Sequence, residues 1–238
     1  MRNRLFILIL LGALTIGLPM TAAALGMDVE EKLGAGLALG TTNNPNVTGE
    51  ARMSEVAGMG IDLYLFKLGS VDLGIAFGAE YSSLNFHSTW TGFFTNPPFP
   101  FTADQTADTN YAYMNIPIAL VCRVPLTQSI QLAVRAGGFI GYFIGGTSND
   151  TYNPNIGQNG PQPLNWSNTY AWEYGLHFTG GTDIALGGGL VFAPAIQFDM
   201  GLTDTTQPIP AFPAGNGTDF KDTFWSLTLM VGFKYNVI

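Results

Sequence analysis

Residues 71–82 read VDLGIAFGAEYS, and the two faces of this stretch decide the fold. Val71, Leu73, Ile75, Phe77, Ala79 and Tyr81 form one alternating series; Asp72, Gly74, Ala76, Gly78, Glu80 and Ser82 form the other. A β-strand sends alternate side chains to opposite faces, so one face is apolar for six positions and the other is small with an acid near each end. A secreted sandwich would bury the apolar face and wet the other. A membrane barrel reverses this, with lipid outside and a narrow polar interior.

The bulk composition favours the second arrangement. The 238 residues are 47% hydrophobic but only 11% charged, against roughly 25% charged in soluble domains. The formal net charge is −8, and no basic run exists to bind nucleic acid. The chain opens MRNRLFILILLGALTIGLPMTAAALG, with Arg2 and Arg4 before an apolar core and Ala22-Ala23-Ala24 after it. That pattern predicts a secretory signal over 1–24 and a mature domain over 25–238. Cys122 is the only cysteine, which excludes a disulfide framework. No later segment approaches the ~20 apolar residues of a spanning helix, so any membrane span must be a strand.

The pattern of 71–82 recurs at 33–40, 57–65, 114–123, 130–137, 170–179, 190–201 and 225–235. This gives eight strands of roughly 9–14 residues, the length a tilted transmembrane strand needs. Gly137-Gly138 is the expected site of a bulge. Short connections fall at 67–70, 125–129 and 186–189; long ones cover about 41–54, 87–110, 145–168 and 203–222. Alternating short turns and long loops are the pattern of an outer-membrane barrel. Pro97, Pro98, Pro154, Pro161, Pro163, Pro208, Pro210 and Pro213 populate the long connections, which are therefore expected not to extend the sheet. Tyr81, Phe86, Tyr142, Tyr170, Trp172 and Trp225 near the loop ends, and Phe66, Phe233 and Tyr235 at the opposite ends, predict two interfacial belts.

The fold expected is thus all-β: an eight-stranded antiparallel up-and-down transmembrane β-barrel. Its inward series contains Asp62, Asp72, Glu80, Arg123, Arg135, Glu173, His177, Asp199 and Lys234. Few charges of both signs among glycine and alanine suit a sealed interior, because an unpaired buried charge costs several kcal/mol. Register counting places Asp72 beside Arg123, Arg135 near Glu173 and His177, and Lys234 within reach of Glu30 or Asp72.

Chemistry-bearing patterns are sparse. His177 with Glu173 could begin a hydrolytic triad, although a hydrogen-bonded interior histidine is the simpler reading. His87-Ser88 resembles the histidine and serine of outer-membrane lipid A deacylases, with no acid partner evident in the sequence. No metal-ligand cluster, phosphate loop, nucleophile elbow or cofactor motif is present. Cys122 reads as a lipid-facing apolar residue. Asn46, Asn149, Asn165 and Asn216 begin N-x-S/T sequons that arise readily by chance in such loops. In the long connections Trp90, Phe93, Phe94, Phe99 and Phe101 interleave with prolines, and Trp166 and Phe212 add to them. Such clusters either contact partners or pack together as a cap over the barrel mouth.

The stretch YMNIPIALVCRVPLTQSIQLAVRAGGFIGYFIGG (113–146) resembles the "IP" strand and following glycine-rich strand of PorT-like bacterial outer-membrane β-barrel proteins. IQFDMGLTDT (196–205) is similar to their seventh-strand element and LTLMVGFKYNVI to their last strand; OmpA- and OmpX-like barrels are similar in architecture. The resemblance implies an outer-membrane address and transfers no catalytic residue. The function expected is a non-enzymatic membrane scaffold, embedded in outer-membrane lipid, whose loops meet a protein or surface ligand. A narrow channel for small or apolar solutes and a lipid-modifying hydrolase are the alternatives.

Overall fold

The computed structural model describes residues 26–42, 47–94, 101–153, 160–164, 171–203 and 222–237. The expected signal sequence lies outside them. Nine strands follow one another: β1 (Gly26–Thr42), β2 (Val47–Leu68), β3 (Val71–Phe94), β4 (Phe101–Pro125), β5 (Ile130–Asn153), β6 (Gly160–Leu164), β7 (Trp172–Gly187), β8 (Leu190–Gly201) and β9 (Asp222–Asn236). All pairings are antiparallel. Eight strands close into a ring, with β4 joined to β5 and β1 to β9, while β6 pairs only with β5.

Alternation assigns the two faces as expected. Leu33, Leu37, Ile118, Leu120, Ile196, Leu229 and Val231 are exposed on the outside. Asp28, Glu30, Lys32, Asp62, Glu80, Arg135 and Lys234 are buried inside. Charges within and aliphatic side chains without invert the partition of a water-solvated protein, and place the surrounding solvent as lipid. The short connections are tight turns at 69–70 and 188–189 and a four-residue link at 126–129. Gly69 (φ 63°) and Gly188 (φ 63°) take the left-handed conformation that these turns require.

Several expectations are corrected. The strands are longer than a membrane needs: β3 and β5 have 24 residues and β4 has 25, against 16 in β7 and 12 in β8. The region 87–110 is therefore mostly not a loop; β3 and β4 stay paired up to Phe94↔Phe101. Residues 47–54, 145–153 and 160–164 are likewise strand. Pro161 and Pro163 do extend the sheet, opposite Asn149 and Thr147. Prolines two residues apart on an edge strand can both turn their missing N–H to the unpaired side, which is why pairing survives. Gly137-Gly138 is regular in both its ladders; the β5 irregularity lies further along, where Ala112↔Gly145 is followed by Tyr113↔Phe143 and leaves Ile144 unpaired. Trp172, Phe66, Phe233 and Tyr235 are exposed as belt residues should be, but Phe86 packs inward against Tyr111 and Phe224. Tyr170 lies outside the described residues.

Two further prolines sit within the ring itself. Pro117 pairs with Phe139 on its β5 side, but the β3–β4 ladder lapses between Phe77↔Ile118 and Glu80↔Asn115. Pro194 pairs with Val231 on its β9 side, and the β7–β8 ladder lapses between Gly181↔Ala195 and Ile184↔Phe192. Each proline turns the side without an N–H towards a gap.

Candidate functional site

The bore is filled in layers. At the short-turn end Arg123 donates through Nη1 to Asp28 Oδ2 at 2.8 Å and through Nη2 to Asp72 Oδ2 at 3.2 Å. Its guanidinium lies 3.9 Å from the centroid of the Tyr64 ring, and Asn236 donates to Asp28 Oδ1 at 2.9 Å. The expected Asp72–Arg123 pair is therefore present, on adjacent strands.

The next layer is organised by Arg135. It donates to Asp62 Oδ1 (2.9 Å) and Oδ2 (2.7 Å) and to Glu30 Oε2 (2.6 Å). Lys234 lies 3.4 Å from Asp62 Oδ2 and donates to Asp183 Oδ2 at 2.9 Å. Two expected pairings are thus corrected. Arg135 meets neither Glu173 nor His177 but acids from β1 and β2, because its side chain crosses the bore instead of reaching along the wall. Lys234 meets Asp62 and Asp183; Glu30 is opposite it in register but bends to Arg135.

The middle layer links Lys32, Glu80, Gln197, Asp199, His177 and Thr179. Lys32 is ion-paired with Glu80 and donates to Gln197 Oε1 at 3.2 Å. The Gln197 amide donates to Glu80 Oε2 (2.9 Å) and Asp199 Oδ2 (2.7 Å). His177 Nδ1 hydrogen-bonds Asp199 Oδ1 at 2.6 Å and its Nε2 hydrogen-bonds the Thr179 hydroxyl at 3.1 Å. Glu80, His177 and Asp199 bring their ligand atoms within 4.8 Å of one another, a grouping that by composition could hold a metal. Lys32 and Gln197 already occupy its carboxylates, so packing through hydrogen bonds accounts for it. His177 thus takes Asp199, not Glu173, as its acid, and among the described residues no serine hydrogen-bonds to the pair.

Above this lies Glu173, with Asn115 and Ser82, and then an aromatic plug of Tyr111, Tyr113, Phe143 and Phe224 with Leu84 and Ala38. Tyr113 and Phe143 meet edge to face, with centroids 5.6 Å apart. Two small cavities among the described residues have volumes of about 20 and 10 Å³, on the scale of a water molecule. They lie against the two lapsed ladders, beside Pro117 and Pro194.

Lys32, Asp28, Asp183 and Gln197 are members of this interior that the residue pattern did not single out. Lys32 and Asp28 continue the phase of Gly34 and Gly36 towards the amino terminus, and Asp183 continues that of His177 and Thr179, so the signal was alternation carried a few residues further.

On the outer hairpins, His87 Nδ1 hydrogen-bonds Asp108 Oδ1 at 2.7 Å, and Arg52 lies 4.0 Å from the same oxygen. His87 does have an acid partner, supplied by the neighbouring strand. Ser88 projects from the other face of β3, away from this pair. Among the proposed loop contacts, Trp90, Phe93, Phe94 and Phe101 belong to the β3–β4 hairpin; Phe99, Trp166 and Phe212 lie outside the described residues. Cys122 is partly buried on the outward series, between Leu73 and Val134 in register.

No protein-family model matches the chain, and no curated protein matches it. Solved structures do. Neisserial surface protein A (NspA) aligns at 9% identity and TM-score 0.42, over 88% of this chain and 96% of that one. The outer membrane protein OprG from Pseudomonas aeruginosa aligns at 11% identity and TM-score 0.43, over 90% and 96%. The outer membrane protease OmpT from Escherichia coli aligns at 9% identity and TM-score 0.37, over 93% and 99%.

Proposed function

We propose that this chain is a non-enzymatic scaffold of the bacterial outer membrane, whose barrel anchors a projecting sheet that meets a protein or surface ligand. The observation that carries this reading is the length of β3, β4 and β5. Past Tyr142↔Trp172, where β7 ends its pairing, β4 continues from Tyr113 to Phe101 with β3 alongside. At roughly 3.4 Å per residue that hairpin reaches well beyond any bilayer surface. Its outward positions are polar: Asn85, His87 and Thr89 on β3, Asp108 and Asn110 on β4. Below the rim the same strands present Ile75, Ile116, Ile118 and Leu120. A membrane anchor needs only the lower part; the upper part is surface for contact. The likeness of 113–146 and 196–205 to PorT-like proteins supports the same reading.

Planar-bilayer recording of the purified, folded barrel tests it against the channel alternative. The layered bore predicts no steady conductance, and a steady one would replace the scaffold reading with transport. A lipid-modifying hydrolase has the His87–Asp108 pair in its favour. Outer-membrane lipid from cells carrying His87→Ala is expected to match that from cells carrying the unaltered chain; a difference in acylation would establish the enzyme.

A further inference from the structure

The outward wall of the barrel does not stop at its aromatic belt. Tyr81, Met114, Tyr142 and Trp172 lie side by side in register on β3, β4, β5 and β7. Further up the same outward series, Asn85, Asn110 and Thr147 form a polar row, and His87, Asp108 and Asn149 form a second. Above them Thr48, Thr89, Thr106 and Thr151 stand opposite one another on β2, β3, β4 and β5. Thr48, Thr89 and Thr151 are exposed, and none of the four threonine hydroxyls hydrogen-bonds another described residue. Three strand spacings make this row about 14 Å wide.

Height and charge together say what this face meets. It continues the side on which Ile116, Ile118 and Leu120 face lipid, and long hairpins mark the outer side of such a membrane. Thr89 follows Tyr81 by eight residues, which is about 26 Å along the strand and roughly 20 Å above the belt at the usual tilt. A phospholipid head group rises only about 5–8 Å above the hydrocarbon; a chain of sugars rises further. Arg52 lies 3.8 Å from Glu50 Oε2 and 4.0 Å from Asp108 Oδ1, so acids already surround the arginine of this face, and exposed Asp104 adds another negative charge. Phosphate is repelled here. Neutral sugar hydroxyls are not: they donate to carboxylate and amide oxygens and accept from amide and threonine donors. At the base, the Tyr142 and Trp172 rings meet edge to face at 4.9 Å, the amphipathic pair that an interface favours.

We propose that this face binds the neutral oligosaccharide head group of a glycolipid in the outer leaflet of the protein's own membrane. The threonine row meets the outer sugars, and the Tyr142–Trp172 pair meets the sugar next to the acyl chains. The inference rests on the scaffold reading and gives its projecting sheet a ligand. The acyl chains lie along the apolar wall below, so one lipid spans the two parts of a continuous surface.

The test uses the purified full-length barrel in phosphatidylcholine vesicles, with two glycolipids spin-labelled on the acyl chain: globoside, with a neutral tetrasaccharide, and glucosylceramide, with a single sugar. Electron spin resonance measures how much of each is held at the protein. Globoside is expected to be preferred about fivefold, the effect of one net hydrogen bond. Replacing the row together, by Thr48→Val, Thr89→Val, Thr106→Val and Thr151→Val, keeps the branched shape and removes the hydroxyls; the ratio is expected to fall to near one. Equal retention of the two lipids, or a preference that survives the replacement, would overturn the proposal. So would stronger retention of spin-labelled phosphatidylglycerol than of globoside, or displacement of globoside by its tetrasaccharide free in solution, which would make the ligand a soluble glycan. If the fourfold variant lacks the compact gel band, Thr89→Val and Thr106→Val are measured singly: a lowered ratio in each supports the site, and an unchanged ratio in both removes it. Conductance bears on the scaffold reading alone, and the lipid ratio on the ligand alone, so the two fail separately.

Discussion

Arg135 grips Asp62 with two parallel hydrogen bonds, Nε to Oδ1 at 2.9 Å and Nη2 to Oδ2 at 2.7 Å, and so ties β5 to β2 across the bore. The same nitrogen Nη2 also reaches Glu30 on β1 at 2.6 Å. One side chain thereby joins three strands. A bidentate fork of this kind has no lysine equivalent.

Arg135→Met removes that fork, takes the Arg135 partner from Glu30 and leaves Asp62 with Lys234 and the Tyr64 hydroxyl, each 3.4 Å away. Breaking a buried pair by removing one member costs about 3–5 kcal/mol. Urea unfolding of the refolded barrel is expected to show a loss in that range. Arg135→Lys should recover only part of it. A variant as stable as the original would mean that the layer is hydrated and the charges are not in fact buried.

The outward face makes a depth-dependent prediction. Leu120 is 72% exposed in the middle of the β4 apolar series, and Leu120→Arg is expected to cost about 2–4 kcal/mol in a bilayer. Leu126→Arg, in the link at 126–129, should cost about 0–1 kcal/mol. Equilibrium folding into vesicles measures both; equal costs at the two positions would contradict the placement of the lipid band.

Two glycines of the wall differ in what a methyl group would meet. At Gly36 it would run into the Leu227 backbone, whereas at Gly180 nothing lies within 4 Å. Gly36→Ala is expected to destabilise the barrel by about 1–3 kcal/mol, as overpacking does. Gly180→Ala should leave the unfolding midpoint nearly unchanged.

The plug and the charged layers close the bore independently. Tyr111→Ala combined with Phe224→Ala empties much of the plug, yet the Lys32–Glu80–Gln197 layer beneath remains. The double variant is therefore expected not to conduct in planar bilayers. Steady conductance from it would show that the aromatic residues alone form the seal.

The period-two pattern made the faces legible, because it depends only on which residues share a parity. Parity alone puts Asp62, Glu80, His177 and Lys234 on the inner face, and all four are buried. Pairing was legible only between neighbouring strands joined by a countable connection, as for Asp72 and Arg123. Arg135 and Asp62 are 73 residues apart, and their meeting depends on the width of the ring and the reach of the guanidinium, neither of which alternation encodes. The outer hairpins are illegible for a different reason. Prolines and small polar residues do mark loops on average, but along an edge they are compatible with pairing, and Pro161 and Pro163 lie in a strand.

The seam between β1 and β9 joins the beginning of the described chain to its end, with Asp28 opposite Asn236. Contacts through the bore are just as remote: Lys32 reaches Gln197 165 residues later, and Lys234 reaches Asp62 172 residues earlier. The early strands pair with one another, but the β1–β9 seam and part of the interior network wait for the last strands. Loop closure over such spans is slow, and until it happens the charges meant for the interior have only water or one another. The finished ring thus sets a rule of timing: the last strand must arrive before the first can be at rest, and a chain cut short by even one strand has an interior with nothing to enclose it.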